Sequence, residues 1–416
     1  MISFGLISAV VFTSLTILMV WHFLPCLREL RTALALGDNV SHEFTPPARV
    51  ILCLRGADPF LDRCLRGLAS QDYPNYKVVI VVDSLQDDAL PQVECLRKEH
   101  GDERIEVLIR DRLLPNCSRR ASSLFCGLSH VPAEVEVVAM CDADAIPHPT
   151  WLRELVAPLQ NPLTVAASGN RWYAPTILTV GGLCRYYWNA LAFRAMYKYR
   201  IPWCGSLVMR GDLFRDAAFQ NCLQHAFSED TALAGFLANK QQHAVPIVSL
   251  VMLNEETCSF KGFWGFLVRQ MLAARLHHPH WPTILVEALV ILVALWILLP
   301  LSILEGWRSL GWWSVGAVIF IVTVLSVIGY FEWLVRQLLW QRRRQRAVPY
   351  DWKRICLAVP SLVLTGFIYP LAVVQTFFTR RHEWRGIVYR IEAGGISTLH
   401  ERAEFGETKA GQYDSV

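Results

Sequence analysis

The amino-acid sequence predicts an α/β domain inserted between membrane-spanning helices, about four of them, and three observations carry that expectation. Of 416 residues, 53% are hydrophobic and only 18% charged, with a mean hydropathy of +0.30; a soluble domain usually carries about 25% charge. The apolar residues are concentrated: uncharged runs occupy residues 2–21, 288–304, 309–331 and 355–378, lengths near the ~20 residues a helix needs to cross a bilayer. Between the first run and the second, apolar β-branched stretches alternate with helical patterns, the sign of a mostly parallel sheet covered on both faces. The mild net charge of +4 gives no concentrated basic face, so nucleic acid is not an expected partner.

Taken in order, residues 1–25 read as an anchor. The uncharged run is followed by Pro25, with Arg28 and Arg31 just beyond, and neither a basic start nor a small-residue cleavage site marks a signal peptide. Residues 26–257 form the inserted domain. Strands are expected at 49–54, 77–82, 105–109 and 135–140, and helices near 59–70, 86–100 and 118–130. The stretch 71–76 reads as a turn, because Pro74 ends the helical pattern. Residues 258–281 suggest an amphipathic helix lying in the headgroup region: Phe260, Phe263, Trp264, Phe266, Leu267 and Met271 share one face, while Lys261, Arg269 and Arg275 share the other. Gln270 falls inside the apolar arc, which suggests that part of this face meets protein.

Residues 282–378 hold three spans. Their loop at 336–354 carries Arg336, Arg342, Arg343, Arg344, Arg346, Lys353 and Arg354 against one acid, Asp351. The positive-inside rule places this loop in the cytoplasm, and counting back through two spans places the insert there too. The last span then exports the tail, 379–416, whose start carries Arg380, Arg381, Arg385 and Arg390. Either that tail is translocated despite its charge, or 355–378 is a re-entrant hairpin broken at Pro360 and Pro370. An integral membrane protein with its domain facing the cytoplasm, in a bacterial inner membrane or a eukaryotic endomembrane, is the expected setting. The twelve cysteines lack any C-x-x-C pair and read as free thiols, and His277, His278 and His280 read as interfacial residues rather than ligands.

In an open parallel sheet the ligand sits beyond the carboxyl ends of the strands. Those ends carry Arg55-Gly56-Ala57-Asp58, Asp83-Ser84 and Asp142-Ala143-Asp144. Two carboxylates at i and i+2 in an extended segment point to one face, where they can hold a hard divalent cation. Downstream, Ser228 is placed to cap a helix from Glu229 to 239. There Glu229 and Asp230 either complement the helix dipole or include a general base.

These motifs, in this order, resemble a membrane-bound family-2 or family-21 glycosyltransferase, most like the ceramide glucosyltransferase type. The likeness rests on one N-terminal span, the Leu54–Pro59 opening, the Gln71-Asp72-Tyr73-Pro74 turn, Asp83, Asp142-Ala143-Asp144, Glu229-Asp230, the clustered spans and the tail Trp384-Arg385-Gly386-Ile387-Val388-Tyr389-Arg390. The resemblance implies a GT-A (Rossmann-like) fold and inverting transfer of one sugar from a nucleotide sugar, UDP-linked, to a membrane lipid, ceramide-like or another lipid hydroxyl, in glycolipid or sphingolipid biosynthesis. It assigns Asp230 as base with Glu229 beside it, and Arg55, Asp83, Asp142, Gln270 and Arg275 to the donor. Asp144, with Asp142, would bind Mg²⁺ or Mn²⁺, and Trp203–Arg210 resembles the acceptor-side strand and turn. The family's Gln-x-x-Arg-Trp is broken here to Gln270-Met271-Leu272-Ala273-Ala274-Arg275, so Arg275 would supply the missing cation. The absent tryptophan argues against a processive polysaccharide synthase. That synthase and a non-catalytic nucleotide-sugar-binding membrane protein are the alternatives.

Overall fold

The computed structural model describes residues 4–36, 44–306, 312–343, 352–392 and 395–401; most of the basic loop and the end of the tail lie outside them. A long helix α1 (Phe4–Leu36) leads into the inserted domain. There β1 (Ala48–Leu54), α2 (Leu61–Ala69), β2 (Tyr76–Val82), α3 (Leu90–His100), β3 (Ile105–Ile109), α4 (Arg119–Ser129) and β4 (Val137–Cys141) alternate as expected. Next come α5 (Trp151–Val156), β5 (Ala166–Tyr173), α6 (Val180–Tyr199), β6 (Ser206–Arg210), α7 (Gly211–Phe214), α8 (Ala217–Leu223), α9 (Glu229–Asn239) and β7 (Val245–Asn254).

The seven strands form one sheet in the order β3-β2-β1-β4-β6-β5-β7. β4 and β5 both run antiparallel to β6, so β6 is the one reversed strand. The period-2 pattern of the strands sorts their side chains onto two cores. Val50, Leu52, Val78 and Ile80 meet α2, α3 and α5 on one face, while Ile51, Val79 and Val81 meet α4, α8 and α9 on the other. This double coverage buries β4 completely, as a central parallel strand requires. All twelve cysteines are free thiols.

Beyond the sheet come α10 (Phe260–His277), α11 (Trp281–Val293), α12 (Leu299–Gly306), α13 (Trp312–Arg343) and α14 (Trp352–Phe378). A π-helical turn, Ala294–Leu298, joins α11 to α12. Four segments are long and apolar enough to cross a membrane: Ile7–Leu36, Trp281–Leu301, Val315–Gln341 and Trp352–Phe378. Large apolar side chains such as Trp21, Ile303 and Val318 face outward along them. The first helix runs through Pro25 rather than ending there. The helices also reach past the uncharged runs and take in Glu287, Glu332 and Arg354, so charge does enter the apolar helices. Glu332 Oε1 accepts from Arg336 of the same helix and from Arg354 of α14, pinning the two together.

Two further expectations change. Much of the apolar face of α10 meets protein: Phe263, Phe266, Leu267 and Met271 are buried in one core with α1, α6, α13 and α14, while Phe260 stays exposed. α14 is not broken into a hairpin, since the helix is continuous through Pro360 and Pro370. It keeps to the domain along its length: Thr365 donates to the Cys184 carbonyl of α6, and the Thr376 carbonyl accepts from Arg275 of α10. After it, β8 (Arg381–Trp384), β9 (Ile387–Glu392) and β10 (Gly395–Glu401) form a small antiparallel sheet.

The Gln71–Tyr76 turn proves architectural. Gln71 Nε2 donates to the Gly67 and His148 carbonyls at 2.7 and 2.9 Å, and its Oε1 accepts from the Leu152 amide at 2.9 Å. The side chain thereby ties α2 to α5. Gln71→Ala strands all three buried partners, and at about 1 kcal/mol net per bond a loss near 3 kcal/mol is expected in chemical denaturation of the detergent-solubilised protein.

Candidate active site

The carboxyl ends of β1, β2 and β4, the start of α4, the loop before β6, the start of α9, one side of α10 and the β8–β9 hairpin enclose one cavity of about 400 Å³. That volume lies in the range of small-molecule sites. Arg55, Asp83, Asp142, Asp144, Glu229, Asp230 and Gln270 all line it. The sheet thus gathers seven of the eight residues singled out in the sequence. The eighth, Arg275, is turned away, its guanidinium donating to the Thr376 carbonyl. Arg269 takes its place in the wall, over the Trp384 ring at 4.5 Å, and desolvation lowers that guanidinium to about 10.

Asp142 and Asp144 occupy a turn rather than an extended segment, because β4 stops at Cys141 and the Ala145 amide closes back on the Asp142 carbonyl at 3.2 Å. Both still reach the cavity. The two carboxylates differ in their partners. Asp142 is engaged at each oxygen, by Arg120 and by Trp203 Nε1 at 3.0 Å. Asp144 accepts from Asn254 at 2.8 Å through one oxygen, while its buried Oδ1 has no partner among the described residues. Burial, and next the charge of Asp142, raise Asp144 to about 7. An orphaned, buried carboxylate oxygen beside a second carboxylate fits a hard cation, and Asp144 is the better-placed ligand of the two.

Glu229 and Asp230 open α9. Ser228 stands at the cap position, but its side chain makes no capping bond. The Asp230 carboxylate instead accepts from the Cys204 amide at 2.5 Å, and Glu229 pairs with Arg120. Burial, then the adjacent Glu229 charge, raise Asp230 to about 7. Cys204, Glu229 and Asp230 place ligand-type atoms within 4.8 Å of one another. Burial pushes the Cys204 thiol well up, and Arg120 pairs with Glu229. Gly205 is obligatory here: a Cβ would stand 2.1 Å from the Trp203 ring and 2.4 Å from Asp142 Oδ2.

Around the carboxylates stand Arg119, Arg120 and Arg171, which no sequence pattern singles out, and Arg385, which stands in the Trp384–Arg390 tail motif. Arg120 lies in the first turn of α4, where the helix dipole disfavours a cation. That misfit was the one available signal. Asp83 is held by Arg55 and by Arg110 at 2.5 Å. The β8–β9 turn carries Arg385 and Gly386 at φ 46° and 76°, the paired positive φ of a type I′ hairpin. It sets the Arg385 guanidinium on Asp58 at 3.1 Å and on the Arg55 carbonyl at 3.0 Å. Tyr389 accepts from the Arg119 amide at 3.1 Å. His277 and His278 do not line the cavity, and His277 Nε2 accepts from the Phe227 amide at 3.0 Å; burial lowers both to about 4.

Residues 49–220 match the model of glycosyl transferase family 2. The match covers the strand ends with Asp83, Asp142 and Asp144 and stops short of α9. A curated relative, an uncharacterized glycosyltransferase of Haemophilus influenzae, is 27% identical over 128 residues, covering 31% of this chain and 37% of that protein. Among solved structures, the chain is similar to the mannosyltransferase PcManGT from Pyrobaculum calidifontis, in complex with GDP-Man and Mn²⁺. Identity is 16% and the TM-score 0.49, over 88% of this chain and 98% of the other. It is also similar to glucosyl-3-phosphoglycerate synthase from Mycobacterium tuberculosis, at 12% identity and TM-score 0.33, over 51% and 73%.

Arg120→Gln leaves Asp142 and Glu229 buried without their shared counter-ion. Removing one partner of a buried ion pair costs about 3–5 kcal/mol, so denaturation should shift by that order, and adding Glu229→Gln should recover part of it.

Proposed function

We propose that this protein transfers a single sugar, with inversion, from a nucleotide sugar to the hydroxyl of a membrane lipid. One observation carries the reading: the cavity that holds the strand-end carboxylates and arginines is also lined by Ile284, Glu287 and Ile291 of α11 and by Thr365, Gly366 and Tyr369 of α14. A water-soluble donor and a bilayer-borne acceptor can thus meet in one space.

Arg55, Arg119, Arg269 and Arg385 bring positive charge to the wall where a diphosphate would lie, and Asp83 keeps Arg55 oriented. Asp144, with Asp142, is the site for Mg²⁺ or Mn²⁺, whose charge, when bound, offsets that developing on the departing diphosphate. Asp230 accepts the proton of the lipid hydroxyl as that oxygen attacks the anomeric carbon from the face opposite the diphosphate. The Cys204 amide fixes the carboxylate's direction, and burial sets its basicity near the working pH.

The same reading orders the chain about the membrane, with the inserted domain on the cytoplasmic side. β8 and β9 touch that domain through Arg385 and Tyr389, so both share a side. Three apolar helices lie between them, and an odd number of full crossings would separate them. α14, held to α6 and α10, is the helix that stays at the interface without a full crossing.

Membranes given radiolabelled nucleotide sugars should yield a labelled lipid extract, and Asp230→Asn should abolish it. Label at wild-type level in that variant would remove Asp230 as the base. With Asp230 raised to about 7, the group is protonated and idle below that pH, so turnover should climb as pH rises through about 7 and then level off. Asp144, raised to a similar value, must also ionise to take a cation and acts in the same direction. For the topology, reporters placed in the inserted domain and after residue 401 should read the same side of the membrane.

A further inference from the structure

At the reacting end of the cavity, the transfer proposed above leaves Arg171 without a task. This residue stands near the end of β5 and lines the cavity together with Asp144. Its side chain makes no ion pair and no hydrogen bond among the described residues, and its Nε is buried without a partner. The rings of Tyr173, Trp203 and Phe266 surround it instead, at 4.7, 5.3 and 5.6 Å from the guanidinium carbon. Aromatic faces attract a cation but carry no lone pair for its N–H groups, so they hold the guanidinium in place without satisfying its donors. The neighbouring charges are already matched: Arg120 pairs with Asp142 and Glu229, Arg185 with Glu256, and Arg385 with Asp58.

The ring beneath this cation connects both halves of the chemistry. Trp203 Nε1 donates to Asp142 at 3.0 Å, and the next amide, that of Cys204, donates to Asp230. The anomeric carbon has to lie between the cation site and the base, so a group resting on Trp203 faces the sugar rather than the nucleotide. A neutral sugar hydroxyl can accept a hydrogen bond from Arg171 but leaves its charge unbalanced in a water-poor pocket, which is costly. A carboxylate balances the charge, and the guanidinium fork matches its two oxygens. In a hexuronic acid that carboxylate hangs from C5, which only the ring oxygen separates from the anomeric carbon. We infer that Arg171 is a specificity-determining residue for the donor, selecting a nucleotide-linked hexuronic acid over the neutral hexose. A phosphate-headed lipid would also bring an anion, but its attacking oxygen is already ionised and would leave Asp230 no proton to take. The product is then an anionic glycolipid. This inference rests on the nucleotide-sugar reading above.

The test measures binding by calorimetry on the full-length protein in detergent with Mn²⁺. The probes are UDP, UDP-glucose and UDP-glucuronic acid, and GDP, GDP-mannose and GDP-mannuronic acid. In whichever series binds, the hexuronic acid form should bind about tenfold more tightly than its neutral partner, the worth of one charge-assisted hydrogen bond. Arg171→Met, which puts an apolar chain among the three rings, should erase that difference and leave the affinity for the bare nucleotide unchanged. Arg171→Lys, which keeps the charge and loses the fork, should retain part of it. Radiolabelled hexuronic acid donor should then yield a labelled lipid that an anion-exchange resin retains. Equal or tighter binding of the neutral hexose by the wild type would overturn the inference, whether or not the variants fold. So would an undiminished difference in an Arg171→Met protein of wild-type thermal midpoint, or a phosphate-headed lipid that binds the wild type and not that variant. If the hexuronic acid donor is preferred in binding but labels no lipid, the lipid-acceptor reading falls and this one stands; if no nucleotide sugar binds, both fall.

Discussion

The structure turns on a single guanidinium. Asp142, Asp144, Glu229 and Asp230 converge on one enclosed space, and like charges about 4 Å apart repel by roughly 4 kcal/mol at an effective dielectric near 20. Arg120 relieves this by bridging Asp142 and Glu229, while burial first, and then neighbouring carboxylate charge, raise Asp144 and Asp230 to about 7. The proposed division between a cation site at Asp144 and a base at Asp230 follows from which carboxylates Arg120 leaves unbridged. α4 can hold Arg120 there because Ser118 caps the helix, accepting from the Ala121 amide at 3.1 Å, and because Leu124 and Leu128 seat the helix on the sheet.

α10 is the mechanical link between the two halves of the molecule. Its apolar face is spent on protein contacts, which tie α6 of the inserted domain to α14. Arg269 and Gln270 then project from the same helix into the cavity. A helix that floated would place these groups with the looseness of a peripheral anchor; a packed one places them with the rigidity of a core.

Much of the sheet was legible because the information is local. Runs such as 77–82 alternate between two buried faces and are rich in β-branched residues, and strand-end aspartates fall where a parallel sheet puts its ligands. Reversal of β6 was not legible, since an apolar strand reads the same in either direction. Arg171 and Arg269 were not legible because an arginine in a strand or a helix looks like a solvated charge until the fold brings it to the cavity, and Arg385 was visible only within the tail motif. Arg275 stood in for the arginine missing from the family's Gln-x-x-Arg-Trp motif, but rotation about α10 gives the cavity to Arg269 instead. Glu287 escaped notice because an uncharged run was used to delimit the span, whereas Lys198 and Tyr199 let the helix start earlier.

The β8–β9 hairpin follows all four apolar helices in the chain, yet its Arg385 lies against Asp58 near the beginning of the domain. During synthesis the sheet can assemble while the later helices are still being made, but the wall of the cavity stays open until residues 381–392 emerge and fold back. In a chain made only that far, Asp58 stands without Arg385 beside it, and the last-made segment completes the cavity wall.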